Sequence, residues 1–210
     1  MRGYASSALL RAVRTGDADE VKRLLGPDVD TELKLTRLRR QSRGGESALW
    51  RAMMTLRLRD RTPPVRELVE GILALDVDGE VKVCLLRAQA AGATPLHVAF
   101  FNGHEETLLL VDRCLAQAVE QGRLSLEQAT RVLGDLRHMP IDRFAAPSNA
   151  LFAARRQVLK NWSQRVSAQQ IDPGRKRRLL DRLATPVGQA VNDGLRQRLE
   201  GFIGADSDLD

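Results

Sequence analysis

The sequence is poor in the side chains from which catalytic and metal sites are built. Its 210 residues include three histidines and two cysteines, and no two of these are paired at the spacing that zinc ligands require. The chain also lacks a glycine-rich phosphate loop and a serine nucleophile elbow. We therefore expect no enzymatic activity, no metal site and no cofactor.

Long apolar runs are missing as well. The N-terminus carries no apolar signal segment, and no run of about 18 apolar residues occurs that would span a membrane. We therefore expect a cytoplasmic protein without membrane attachment, for which delivery into a host cell would require signal-peptide-independent secretion. Cys84 and Cys114 lie among apolar residues, which predicts two buried free thiols and no disulfide.

Aromatic residues are scarce, at 4% of the chain, whereas charged residues make up 29%. The net charge of +6 is divided as +5 for residues 1–60, −4 for residues 61–130 and +5 for residues 131–210. Because few aromatic side chains are available to stack on bases, only the basic ends favour nucleic-acid binding. Arginine outnumbers lysine 28 to 5, a bias that recognition of carboxylates or phosphates and a GC-rich coding sequence would each produce.

The most informative pattern in the chain is a hexapeptide followed by a glycine. It reads Thr94-Pro95-Leu96-His97-Val98-Ala99, with Gly103 four residues later. Thr94 predicts a helix N-cap, and Pro95 fits the first helical position because its missing N–H needs no partner there. Gly103 predicts the end of the helix. The pattern resembles ankyrin repeats, and the resemblance implies a second, antiparallel helix and stacking on neighbouring repeats.

Weaker copies of this opening occur elsewhere in the chain. Together with the clearest copy, they place repeat starts near residues 7, 47, 94, 149 and 185. Stacked copies are expected, because such a repeat cannot bury its apolar face alone. The resemblance implies an all-α, ankyrin-type helical solenoid of about four to five irregular repeats over residues 1–204. The acidic composition of residues 205–210 predicts a frayed tail.

The repeat starts are farther apart than the roughly 33 residues of a plain ankyrin unit, so insertions must separate the units. One insertion predicts an arginine-rich, finger-like loop, and its arginines are Arg37, Arg39, Arg40 and Arg43. A second predicts a long helix that breaks at Gly122, followed by an extra helix capped by Ser125. In a third, Asp172 opens a helix that carries the basic run Arg175 to Arg178.

The ankyrin resemblance also implies where a ligand binds. It places the binding surface on the concave face, at the exposed positions just before the repeat glycine and at the loops between repeats. An apolar anchor rimmed by arginines would fit a partner protein with an acidic surface. The predicted partner-binding residues are Arg39, Arg40, Arg43, Met54, Thr55, Arg57, Arg59, Phe101, Asn102 and Arg156. Arg14 holds the equivalent position in the first copy.

The irregular, arginine-rich array further resembles the ankyrin part of type III effectors that recognise host caspases or other signalling proteins. This resemblance implies a protein-binding module, which would be the targeting part of a bacterial effector. We expect the chain to be a monomer. Two alternatives stay open at this point: a binder of nucleic acid or anionic surfaces that uses the basic ends, and an immunity protein or inhibitor that covers a toxin.

Overall fold

The computed structural model describes residues 8–55, 62–138 and 149–184. Within these ranges the chain forms α-helices, one 3₁₀ helix at Gly134–His138 and no β-strand. The α-helices are α1 (Ala8–Thr15), α2 (Ala18–Leu25), α3 (Thr31–Arg39), α4 (Ala48–Thr55), α5 (Thr62–Leu73), α6 (Gly79–Leu86), α7 (Pro95–Phe101), α8 (Glu105–Glu120), α9 (Leu126–Leu133), α10 (Asn149–Ala168) and α11 (Pro173–Leu183). The prediction of an all-α protein is confirmed. None of these helices is both long and apolar enough to cross a membrane.

The helices stack in three rows. The first row consists of α1, α4 and α7, and the 3₁₀ helix packs against α7 at its end. The second row consists of α2, α5, α8 and α10, each packed on the one before. In the third row α6 packs on α9 and α9 on α11. At the start of this row, the C-terminal end of α3 lines a groove together with α6. The chain therefore passes through the rows in order, one three-helix unit after another.

Local sequence signals set the helix ends. Thr94 caps α7, its hydroxyl accepting a hydrogen bond from the backbone N–H of His97, and Pro95 occupies the first turn. Gly103 follows the helix with φ +79°, a conformation that glycine adopts without strain. Gly122 breaks the chain after α8 with φ +69°, and Ser125 caps α9. These predicted boundaries are confirmed, as is the helix that Asp172 opens.

Close approaches hold the rows together. A Cβ added to Gly71 on α5 would lie 3.0 Å from the Leu25 Cδ1 atom on α2, so a larger residue would require the Leu25 side chain to move. In the first row, Trp50 on α4 is fully buried. Its indole Nε1 donates a hydrogen bond to the Ala93 carbonyl at 3.1 Å, which ties α4 to the turn that precedes α7.

The structure differs from the sequence-based expectations in three places. The helix that begins at Asn149 lies in the second row against α8, whereas the repeat pattern predicted a first helix there; the 3₁₀ helix already occupies the first-row place beside α7. The arginine-rich insertion is largely helical, since Arg37 and Arg39 belong to α3. Cys84 is exposed, contrary to the prediction of a buried thiol, because α6 turns Val83 and Leu85 toward the core instead.

One further expectation is confirmed, and several others concern residues that the structure does not describe. Cys114 is buried and free, as predicted. The repeat start near residue 185 and the acidic tail at 205–210 lie outside the described residues, as do Arg57 and Arg59.

Candidate functional site

Several predicted site residues lie near the C-terminal ends of the first-row helices. Arg14, Met54 and Phe101 occupy equivalent positions on α1, α4 and α7; Arg14 is exposed, and the other two side chains are half-buried against the core. Leu10, one turn before Arg14, is also half-buried. We call these four residues the first-row surface. It combines apolar area with an arginine, the composition predicted from the sequence.

Asn102 connects two of these helix ends. Its Nδ2 atom donates a hydrogen bond to the Met53 carbonyl at 3.1 Å and lies 3.9 Å from the Met54 sulfur. Its Oδ1 atom is buried and has no hydrogen-bond partner within the described part of the chain. The side chain thus fixes the end of α7 against the end of α4. Thr55 ends α4, next to Met54.

The predicted arginines after α3 lie apart from the first-row surface. Arg39 is the last residue of α3, Arg40 is its C-cap, and both are exposed. Neither forms an ion pair among the described residues. Arg37 behaves differently, because it is half-buried and its Nη1 atom donates a hydrogen bond to the Leu24 carbonyl at 2.5 Å. Arg37 therefore fastens α3 to α2.

Arg43 lies in a tight turn that leads into α4. The backbone N–H of Ser42 bonds the Glu46 carbonyl at 2.9 Å, and the Ser42 hydroxyl donates to the Glu46 carboxylate at 2.6 Å. Gly45 closes the turn with φ +81°. The buried Glu46 also pairs with Arg51 at 3.1 Å. These bonds hold the exposed Arg43 on a fixed turn instead of a long loop.

A groove of about 350 Å³ separates α3 from α6. Its apolar lining comes from Leu38 on α3, Val81 and Leu85 on α6, and Ala88 just after α6. We call this feature the α3–α6 groove. The exposed thiol of Cys84 lies in its wall.

Arginine and glutamate side chains stand at the edge of the α3–α6 groove. Arg39 and Glu80 both line it. Glu80 pairs with Arg131 on α9 and accepts a hydrogen bond from Gln128 at 3.1 Å. Hydrogen bonding by Arg131, followed by that of Gln128, holds the pKa of Glu80 below its ordinary value. The Glu80 carboxylate is thus paired with an arginine of α9, whereas Arg39 forms no ion pair with a carboxylate among the described residues.

Ion pairs join the later units of the third row. Arg87, the C-cap of α6, forms a bidentate pair with Asp135 in the 3₁₀ helix, at 3.0 and 2.7 Å. Arg175 and Arg182 on α11 both reach Glu127 on α9, at 3.1 and 3.4 Å. The first arginine of the basic run on α11 therefore has an acidic partner, which offsets the unfavourable position of a cation at a helix N-terminus.

Sequence reasoning missed one buried arginine. Arg155 on α10 is 3% exposed, and its Nε atom donates a hydrogen bond to the Leu136 carbonyl at 2.8 Å. Its guanidinium carbon lies 5.7 Å from the centre of the Phe100 ring, and burial lowers its pKa from the ordinary value. The signal was present, because Arg155 stands four residues from both Leu151 and Leu159 on the apolar face. Arg156, the predicted site residue, points outward and is exposed.

In the described ranges, no group of three or more histidine, cysteine, aspartate or glutamate side chains is placed to hold a metal ion. What these residues present is two surfaces of mixed apolar and arginine character, the first-row surface and the α3–α6 groove. Compared with protein-family models, curated proteins and solved structures, the chain matches none.

Proposed function

We propose that this chain is an ankyrin-type solenoid module that binds another protein. The observation that carries the proposal is the repetition along the first row: Arg14, Met54 and Phe101 recur at the same helical position on three successive helices. A stack of equivalent helices creates a continuous surface of this kind, and repeat proteins use such surfaces to bind partners.

The chemistry of the surface favours a partner with apolar and acidic side chains. Met54 and Phe101 are partly exposed while they pack on the core, so a partner can cover them without reordering the helices. A central apolar anchor with a charged rim is the usual anatomy of a protein interface. Exposed arginines such as Arg39 and Arg40 can form bidentate bonds with carboxylates.

The resemblance to effector proteins makes a host signalling protein the first class of partner to test. We propose that the module targets such a protein, and a purified caspase is the natural first candidate. Catalysis is not part of this proposed role. The module needs only to hold its partner.

The test compares immobilised wild-type protein with surface variants. Met54→Ser together with Phe101→Ser removes the apolar anchor, and Arg39→Glu with Arg40→Glu and Arg43→Glu reverses the predicted arginine patch. We expect each variant to retain at most about a tenth of the partner bound by the wild type, the loss produced by about 1.4 kcal/mol. Melting curves confirm that each variant is folded.

Arg177→Glu serves as the matched control, since Arg177 is an exposed arginine on α11, away from the first row. It should bind like the wild type. If the control loses the partner while the anchor variant, which changes no charge, still binds it, binding follows net charge alone. In that case the immobilised protein is tested with nucleic acid. If it retains nucleic acid, and the amount retained falls steeply as the salt concentration rises, the chain is a binder of anionic polymers instead.

A further inference from the structure

The α3–α6 groove is a gap in an otherwise closed row of helices. Between α6 and α9 the row is closed by the Glu80–Arg131 pair, and Gly79 allows the Gln128 side chain to lie directly against the start of α6. Between α3 and α6 a volume of about 350 Å³ remains. This volume lies at the lower end of the roughly 300–1,000 Å³ range of ligand pockets, large enough for one or two side chains of another chain.

The floor of the groove is apolar and partly accessible. Leu38 and Leu85 are buried at its base, and Val81 is half-buried in its wall. The N-cap residue of α4, Ser47, closes one side; it is 4% exposed, and its hydroxyl accepts a hydrogen bond from the backbone N–H of Trp50 at 3.1 Å. The Ser47 hydroxyl is thus already engaged as an acceptor. An apolar side chain is the occupant that such a floor favours.

The charges at the rim do not balance. Arg39 lines the groove and Arg40 follows it, and both are exposed without an ion pair among the described residues. Glu80 on the opposite side is engaged by Arg131 and Gln128. The rim therefore offers uncompensated positive charge beside an apolar floor, and the complement is an apolar side chain flanked by carboxylates.

We propose that the α3–α6 groove is a docking site for a short acidic, amphipathic segment of a partner protein. One bulky apolar side chain of this segment enters the groove, and neighbouring glutamates or aspartates pair with Arg39 and Arg40. Phosphate chains fit poorly, since the floor offers no donors or aromatic faces for bases. The inference rests on the proposed function and adds a second surface to it, with the sequence character of the segment that binds there.

The two cysteines provide a direct test on the full chain. Cys84 is exposed in the groove wall, whereas Cys114 is buried and burial raises the pKa of its thiol. Iodoacetamide should therefore alkylate Cys84 first, and a segment seated in the groove should shield it. Cys114 serves as the internal control for unfolding, because its alkylation would report opening of the fold.

The probe is a synthetic peptide of about four helical turns, with leucine on one face and glutamate elsewhere. A peptide with lysine in place of every glutamate is its control. At about ten times its Kd, the glutamate peptide should slow alkylation of Cys84 about tenfold, since only the free protein reacts. Arg39→Glu with Arg40→Glu should weaken peptide binding by about tenfold or more, whereas Arg177→Glu with Arg178→Glu should leave it unchanged.

Four results would overturn the proposal. In the first, the lysine peptide protects Cys84 from alkylation as well as the glutamate peptide does, and in the second neither peptide protects it. In the third, Cys84 of the wild type is alkylated more slowly as the protein concentration rises. In the fourth, Cys84 is alkylated faster without peptide once residues 205–210 are deleted. The third result would identify a second copy of the chain as the occupant, and the fourth would identify its own acidic tail. None of these results bears on Met54→Ser with Phe101→Ser, so binding by that variant, and not by the arginine variant, distinguishes failure of the groove from failure of the proposed function.

Discussion

The pair between Arg87 and Asp135 should show an asymmetric effect on stability. Two hydrogen bonds at 3.0 and 2.7 Å join the guanidinium to the carboxylate. The side chain of Asp135 is 7% exposed, whereas that of Arg87 is 37% exposed. Removal of either partner breaks the same bonds, yet the group left behind differs. Arg87→Ala leaves a carboxylate that water hardly reaches, while Asp135→Ala leaves a guanidinium that can return to solvent.

The magnitudes follow from that difference. A hydrogen-bonded charged pair contributes about 1.5–3 kcal/mol per bond at most, and a buried charge without a partner costs about 3–5 kcal/mol. Because Arg87 is more than one third exposed, we reduce the cost for Asp135→Ala to about 1–2 kcal/mol. Arg87→Ala should cost about 3–5 kcal/mol, since it leaves Asp135 buried without its partner. The double variant should cost less than the two single variants together, since neither charge is then left alone.

Urea unfolding followed by circular dichroism at neutral pH measures these differences, with equal m-values as the check that only stability has changed. Arg131→Ala is a matched control, because its pair with Glu80 is solvent-accessible on both sides and should contribute no more than about 1 kcal/mol. If Asp135→Ala proves as costly as Arg87→Ala, or more so, the argument from unequal burial is refuted.

Three further perturbations test local features. Gly103→Val should destabilise the protein by more than about 1 kcal/mol, since φ is +79° there and strain must come from the backbone alone; an unchanged melting temperature would refute this. Gly79→Ala should destabilise the chain because the new Cβ would displace the Gln128 amide from its hydrogen bonds with the Ser125 N–H and the Glu80 carboxylate, and the same change should cost less in a Gln128→Ala background, where those bonds are already absent. Burial raises the pKa of Asp112, although Trp162 donates a hydrogen bond to it at 2.6 Å. The folded state therefore holds this proton more tightly than the unfolded chain, and stability falls as pH rises from about 3.8 through the folded pKa. Asp112→Asn should remove that fall and stabilise the protein at neutral pH, and urea midpoints that follow pH as in the wild type would contradict the assignment.

Features that depend on local chemistry could be read from the sequence. Thr94, Ser125 and Asp172 cap helices because a side-chain oxygen reaches the backbone N–H three residues ahead. Gly103 and Gly122 end helices for an equally local reason, their positive φ. Such signals need no knowledge of the neighbouring helices.

Features that depend on packing could not be read in the same way. The apolar neighbours of Cys84 predicted burial, but α6 meets the rest of the fold on only part of its circumference, and this thiol falls on the other part. Arg37 belongs to a run of charged residues in the sequence. Its side chain is nevertheless half-buried, because it donates a hydrogen bond to the Leu24 carbonyl at the end of a neighbouring helix. The packing of α10 on α8, which places it in the second row, is likewise a tertiary contact. The candidate site stays a prediction: Met54 and Phe101 stand at equivalent positions of α4 and α7, whereas Arg39 lines a groove that no spacing indicated.

The central claim is that the first-row surface binds a partner protein. The most direct measurement compares how tightly the partner binds the wild type and the double variant Met54→Ser with Phe101→Ser. Titration calorimetry gives the two Kd values, and the melting temperature is measured on the same samples. The account predicts a Kd at least about tenfold weaker, the equivalent of about 1.4 kcal/mol, in a protein that still unfolds cooperatively. An unchanged Kd in a folded double variant would contradict it.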